Sequence, residues 1–222
     1  MSTSETLLVA GAGPRLGAAV ARRFASEGWD VGLLARSTEF TRSLADELRD
    51  EHGTEAVAVR GDVTDPESVD RATGRVREAL GPVECLVANA AAGGGNPIDA
   101  AGPGTFERVW RVRAFGSFLL VRACLSDLRA TDGTVLLSGT TYATDPAPGQ
   151  VEWASGAAAA LGLARTLAES LDGVGVTYVR IGAAVRPPES DFPGAVGADE
   201  VARRYHDLAG TADPPADLLV DP

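Results

Sequence analysis

The sequence predicts a doubly wound α/β domain, a parallel sheet of about seven strands covered by helices on both faces. Two observations predict it. Short, nearly continuous apolar runs alternate with longer amphipathic stretches along the chain, the pattern of strand and helical crossover. The length, 222 residues, suits one domain that buries a full core without disulfide or metal staples.

The strands are expected at 6–10 (TLLVA), 30–35 (DVGLLA), 56–60 (AVAVR), 85–88 (CLVA), 134–138 (TVLLS), 176–181 (VTYVRI) and 217–220 (DLLV). Between them the 3.6-residue periodicity places helices at about 15–28, 38–51, 66–80, 104–129, 151–171 and 198–209. The third helix starts at Asp65-Pro66, where Asp can cap and Pro occupies the first turn. Gly28, Gly53, Gly81 and Gly173 stand where helices should stop. No repeat or linker divides the chain, so residues 1–222 read as one domain with a short substrate loop near 186–197. Pro187, Pro188 and Pro193 oppose helix formation there, which predicts an open cleft for a large, partly exposed ligand.

Composition removes several classes of function. The chain carries 20 basic and 31 acidic residues, a net charge of −11, which argues against nucleic acid or an anionic membrane as main partner. Every basic residue is Arg, so Schiff-base chemistry and a lysine-assisted proton relay are excluded. Mean hydropathy is +0.01 and no apolar run approaches the ~20 residues that span a bilayer. The start shows neither a basic segment nor an apolar core, and Cys85 and Cys124 fit a reducing compartment, so the expected location is the cytoplasm. His52 and His206 lack metal-ligand spacing, and no metal is expected.

The first strand runs into Gly11-Ala12-Gly13-Pro14-Arg15-Leu16-Gly17 and then a helix. In that context glycines permit a tight turn and close backbone approach to a pyrophosphate seated on the helix N-terminus. The spacing is Gly-x-Gly-x-x-x-Gly. With Asp62-Val63 after the third strand and Asn89-Ala90-Ala91 after the fourth, it resembles the short-chain dehydrogenase/reductase (SDR) family. The resemblance runs essentially the whole chain, through Arg180-Ile181-Gly182 where the family has Pro-Gly.

The resemblance implies a Rossmann-type sheet of order 3-2-1-4-5-6-7 and a nicotinamide dinucleotide. Its site would comprise Gly11, Gly13, Arg15, Leu16, Gly17, Arg36, Asp62, Val63, Asn89, Ala90 and Ala91. An acid at the end of the second strand would bind the ribose hydroxyls of NAD; this chain has Ala35-Arg36-Ser37. Arg36 would either pair with a 2′-phosphate or stand as a solvated strand-end charge. The missing acid and the Arg together favour NADP over NAD. Asp62 would accept from the adenine amino group, or cap the loop before the next helix, or both. Arg15 replaces the family's middle glycine and would either clamp a phosphate or fill its space; its charge favours the clamp.

The family's chemistry uses Asn, Ser, Tyr and Lys. Aligning Leu136-Leu137-Ser138-Gly139-Thr140 with the fifth-strand motif places Thr140 at the Ser position, Trp153 at Tyr, Ala157 at Lys and Arg113 at Asn. The Thr140–Trp153 separation of thirteen residues is the family's usual one. Indole N–H donates a hydrogen bond but delivers no proton near neutral pH, so the usual relay is expected to be missing. Tyr142 could serve as an acid with Arg113 stabilising its anion, or be a packed loop aromatic. Arg113 could instead anchor a substrate carboxylate or turn outward, and Glu152 is a further acid candidate beside a role at the helix start.

The function this implies first is an NADPH-dependent carbonyl or enone reductase with a non-standard proton donor. The alternatives are a non-redox enzyme on the same fold (cyclase, dehydratase or isomerase) and a catalytically silent subunit paired with an active relative. The resemblance also implies a small-molecule substrate and an oligomer, homomeric or with another family member, through the helices at 104–129 and 151–171.

Overall fold

The computed structural model describes residues 4–145, 147–186 and 194–222. Seven parallel strands form the main sheet: β1 (Thr6–Ala10), β2 (Asp30–Ala35), β3 (Ala56–Arg60), β4 (Cys85–Ala88), β5 (Thr134–Thr140), β6 (Gly175–Ile181) and β9 (Asp217–Val220). Their order is β3-β2-β1-β4-β5-β6-β9, the expected one, with the last strand of the chain at the edge. Two further strands intervene, β7 (Val185–Arg186) and β8 (Val196–Gly197), which pair parallel with each other in a separate ladder. They pin the two ends of the expected substrate loop, and residues 187–193 within it lie outside the described residues.

Both faces of the sheet are covered. On one, α1 (Leu16–Ser26), α2 (Glu39–His52) and α7 (Ala198–Ala209) bury Phe24, Leu44, Leu48, Val201 and Tyr205 in one cluster with Leu7, Val9, Leu33 and Leu136 of the sheet. On the other, α3 (Pro66–Leu80), α5 (Gly116–Ala130) and α6 (Val151–Ser170) bury Val69, Val76, Leu120, Cys124 and Leu161 in one cluster with Leu8, Leu34, Leu86 and Val135 of the sheet. Central strand residues have no access to water on either side, which explains why these strands read as continuous apolar runs rather than alternating ones. Asp65 caps α3 by accepting from the Glu67 N–H at 3.1 Å, with Pro66 at the first helical position.

The sequence reading differs from the structure at two places that matter. β5 continues two residues beyond 138, so Thr140 ends the strand rather than lying in the following loop. The helix expected over 104–129 is three pieces: α4 (Pro103–Trp110), a π-turn at Arg111–Phe115, and α5. The Gly116 N–H reaches back to the Arg111 carbonyl, one residue further than in an α-helix. That extra residue shifts the side chains after Trp110 around the axis, and Arg113 is carried inward by it. Periodicity alone cannot show such a shift, because the apolar stripe resumes on the far side.

Candidate functional site

The strand order reverses between β1 and β4, and the loops leaving their carboxyl ends splay apart there, which is where open α/β sheets bind ligands. Gly11 has φ +95°, and a Cβ on it would stand 2.5 Å from the Ala90 backbone nitrogen. At Gly17 a Cβ would stand 2.6 Å from the Gly11 carbonyl oxygen. Asn89 holds the two loops together, donating from Nδ2 to the Gly11 carbonyl and from its backbone N–H to Ala10, both at 2.8 Å. These groups make the turn rigid.

Two clefts of about 640 and 500 Å³ open on either side of this turn and share Gly13, Pro14 and Asn89–Ala91 as a common rim. The first cleft runs over Gly11, Arg36, Asp62, Val63 and Thr64. The second runs over Arg15, Leu16, Gly17, Arg113, Ser138, Thr140, Tyr142 and Trp153. The residues expected at the dinucleotide end, and Arg113, Thr140, Tyr142 and Trp153 at the chemical end, therefore line these two adjoining clefts; Glu152 does not.

The first cleft and the shared turn fit a dinucleotide. A Cβ on Gly13 would meet nothing within 4 Å, so this glycine faces open space where Gly11 and Gly17 face backbone. α1 begins with no side-chain cap and no acid in its first turn; the Ala18 N–H is taken by the Gly13 carbonyl at 2.9 Å, which leaves those of Leu16 and Gly17 for an anion. Arg15 is exposed at that N-terminus rather than folded into the turn. Asp62 accepts two hydrogen bonds on Oδ1, from the Thr64 N–H at 2.9 Å and the Thr64 hydroxyl at 2.8 Å. These bonds, with help from the Arg36 and Arg111 charges, hold its carboxyl below the usual carboxylate range. No described residue bonds to Oδ2. Gly116 lies against Val63, where a Cβ would stand 3.0 Å from Cγ2, so α5 closes on the wall that Val63 presents.

The chemical end is unusual in its pairing. Trp153 on α6 donates its indole N–H to the Ala92 carbonyl at 3.1 Å. The Arg113 guanidinium lies over the Trp153 ring, its carbon 4.6 Å from the centroid. Arg113 is only 8% exposed, its Nε is buried without a partner, and burial lowers its pKa. Thr140 Oγ1 accepts from the Tyr142 N–H at 3.4 Å, and Tyr142 stands half out of the rim. Ala157 is completely enclosed.

Two residues of this site escaped the sequence reading. Tyr178 on β6 is fully buried beneath Thr140; its hydroxyl accepts from the Thr140 N–H at 3.4 Å and donates to the Ala157 carbonyl at 3.3 Å. Its ring fills the space beside Gly139, where a Cβ would come within 2.1 Å of it. A signal was present in Gly139 itself, a glycine in a buried strand, which marks close approach of a neighbour. Tyr205 on α7 donates to Ser138 Oγ at 2.8 Å, tying the opposite helical layer to the end of β5.

Glu152 is turned away from the cleft. Its carboxylate accepts from the backbone N–H groups of Gly95 and Asn96 and from Asn96 Nδ2, at 3.1, 2.7 and 2.9 Å. The Asn96 bonds pull its pKa down to about 2, so it is an anion that staples the loop after β4 to α6. A depressed carboxylate contributes stability that is present above its unfolded pKa, near 4.5, and is lost as pH falls through the folded value. Glu152→Ala is expected to melt below wild type at pH 7, with the gap closing between pH 4.5 and 2; a gap that stays constant through that window would refute the assignment.

Among the described residues no three His, Cys, Asp or Glu side chains converge to hold a metal ion, and no helix is long and apolar enough to cross a membrane.

Comparison with known proteins follows the same lines. The family described as short chain dehydrogenase matches residues 5–187. A 3-oxoacyl-[acyl-carrier-protein] reductase of Mycobacterium tuberculosis is 30% identical over 78% of this chain and 66% of its own length. A cis-1,2-dihydrobenzene-1,2-diol dehydrogenase of Pseudomonas putida is 32% identical over 74% of this chain and 60% of its own length. A short chain dehydrogenase of Pseudocercospora fijiensis is 31% identical over 78% of this chain and 56% of its own, so the matches span under two thirds of these relatives. Among solved structures, an alcohol dehydrogenase from the archaeon Thermococcus sibiricus, complexed with 5-hydroxy-NADP, superposes with a TM-score of 0.91 at 26% identity, covering 98% of this chain and 96% of that one. An NADPH-dependent 3-quinuclidinone reductase from Rhodotorula rubra superposes with a TM-score of 0.88 at 25% identity, covering 99% and 91%.

Proposed function

This chain belongs to the short-chain dehydrogenase/reductase family, and we propose that it is an NADPH-dependent reductase of carbonyl or enone substrates that works without the family's tyrosine–lysine relay. The observation that carries the reading is the shared rim. Gly13 opens into the junction of the two clefts, with Arg36 and Asp62 on one side and Thr140 on the other. Bound nicotinamide would supply the hydride. The similar alcohol dehydrogenase complexed with 5-hydroxy-NADP and the NADPH-dependent 3-quinuclidinone reductase support this choice of cofactor.

The side chains then have separable roles. Thr140, held by Tyr178 and the Tyr142 turn, presents a hydroxyl that polarises a carbonyl oxygen. Trp153 is a wall, since its only polar hydrogen is committed to Ala92. Ala157 offers nothing to a ribose or a phenol, and the chain has no lysine to replace it. The proton comes from water in the second cleft or from Tyr142 at its rim.

The test is titration with NADPH and NADH by fluorescence, followed by transfer of deuterium from C4-labelled NADPH to a panel of ketones and enones. Binding of neither cofactor overturns the reading. Thr140→Val is expected to lower turnover ten- to a hundredfold, about 1–3 kcal/mol, while Trp153→Phe keeps most of it. Binding without transfer would point to the second reading, a non-redox or silent member, which the engaged Trp153 N–H and sealed Ala157 favour.

We also propose that the chain pairs, with a second copy or another family member, through the outer face of α4 and α5. Phe106, Trp110 and Phe118 are exposed there, and the Phe115 ring stacks between the latter two at 6.3 Å from each. Trp110→Asp with Phe118→Asp is expected to give a monomer by light scattering; an unchanged mass would exclude this face.

A further inference from the structure

We propose that the second cleft binds substrates that carry a carboxylate beside the reacting carbonyl, and that Arg113 is the group that binds it. The proposal deepens the reductase reading at the same cleft and rests on it for the identity of the reacting group.

Arg113 is a cation whose Nε is sealed from water and whose terminal nitrogens have only the cleft to face. It is more than nine-tenths enclosed, yet among the described residues no carboxylate lies within ion-pair distance and no acceptor takes a hydrogen bond from its guanidinium. What it does touch is the face of Trp153, which offsets charge but accepts no N–H in the guanidinium plane. Burying a charge without an opposite charge or hydrogen-bond acceptors costs folding free energy. A methionine or leucine would fill the same volume without that cost, so the guanidinium answers to something other than packing.

The surroundings state which charge would answer it. Among the described residues, the lining of the cleft contains Arg15 as a second cation and neither Asp nor Glu. Arg15 stands at the α1 N-terminus, over the turn where the dinucleotide phosphates would lie. Arg113 stands on the π-turn, over Trp153, and lines the same cleft as Thr140. With its Nε sealed, the guanidinium can present only its terminal nitrogens to the cleft, the edge that takes a carboxylate in two parallel bonds. The aromatic wall behind it holds the plane of that edge fixed. Thr140 would then meet the carbonyl while Arg113 holds the acid, and the distance between the two groups selects which oxo acid fits.

The experiment uses the cofactor-free protein and three acid–ester pairs: pyruvate, acetoacetate and levulinate, each against its methyl ester, by calorimetric titration. At least one acid is expected to bind tenfold or more tightly than its ester. Arg113→Gln is expected to erase that preference while its melting temperature stays at or above the wild-type value, because a buried lone charge has gone. Arg113→Lys should keep part of the preference. NADPH affinity should not move in either variant. No preference for any acid in the wild type, or a preference that survives Arg113→Gln, overturns the proposal. So does a fall in NADPH affinity alone, which would assign Arg113 to the dinucleotide. If Arg113→Gln fails to fold, the wild-type pairs decide by themselves. Failure of NADPH to bind would sink the reductase reading without touching the acid–ester comparison, which is read in the absence of cofactor.

Discussion

Gly13→Val is expected to leave the fold intact and cost most of the dinucleotide affinity, whereas Gly17→Ala is expected to lower the melting temperature of the chain. The two glycines are four residues apart in one turn, and only their surroundings distinguish them. At Gly17 the added carbon would press on the Gly11 carbonyl oxygen at 2.6 Å and the Ala12 Cα at 2.7 Å. Both are backbone atoms of a turn that Asn89 clamps from the other side, so neither can retreat. Overpacking of this kind costs about 1–3 kcal/mol, a large share of the ~5–15 kcal/mol that holds a domain folded, so the variant melts well below wild type. Gly13 has ordinary φ and empty space beside it, so a valine there disturbs no packing. Its branched side chain would occupy the path of the phosphates instead, and a loss of NADPH affinity on the order of a hundredfold or greater is expected. Thermal melting and fluorescence titration of the two variants separate the effects. Wild-type affinity in Gly13→Val would place the dinucleotide elsewhere.

The fold was legible because its strands are buried on both faces and its helices are capped by local chemistry. β3, β4, α3, α7 and β9 begin and end where composition alone puts them, since Asp65-Pro66, Gly53 and Gly81 act within a single turn of chain. The turn from Gly11 to Gly17 and the loop from Asn89 to Ala91 were legible for the same reason, being short segments with their own backbone demands. The chemical end was legible only as a set of positions. Thr140, Tyr142, Arg113 and Trp153 do share a cleft, but what each one touches depends on contacts across dozens of residues: Trp153 on Ala92, Glu152 on Asn96, Tyr178 under Thr140. Arg113 shows the limit most clearly. The sequence offers it a site role and an outward surface charge side by side, and the one-residue π-turn that carries it into the interior is reported by no periodicity.

Cofactor choice rests on Arg36, and Arg36→Ala is expected to cut NADPH affinity ten- to a hundredfold while barely changing that of NADH. Arg36 is exposed at the end of β2 and lines the first cleft, and no carboxylate lies within ion-pair distance of it among the described residues. An exposed ion pair is ordinarily worth about 1 kcal/mol or less. The adenosine that carries a 2′-phosphate would, however, lie between Arg36 and the Asp62–Val63 wall and displace water from both. A charge-assisted, bidentate guanidinium–phosphate contact so shielded is worth about 1.5–3 kcal/mol, which sets the expected range. Asp62 cannot supply NAD selectivity in its place, because it sits at the end of β3 with one oxygen committed to Thr64. Two consequences distinguish this role from that of a solvated charge. Since the contact is partly exposed, NADPH affinity should fall with added salt more steeply than NADH affinity does. Arg36→Asp should go further than Ala, repelling the phosphate while offering the ribose hydroxyls an acceptor, so that NADH becomes the tighter ligand. Equal losses for both cofactors in Arg36→Ala, or parallel salt slopes, would remove Arg36 from the cofactor site.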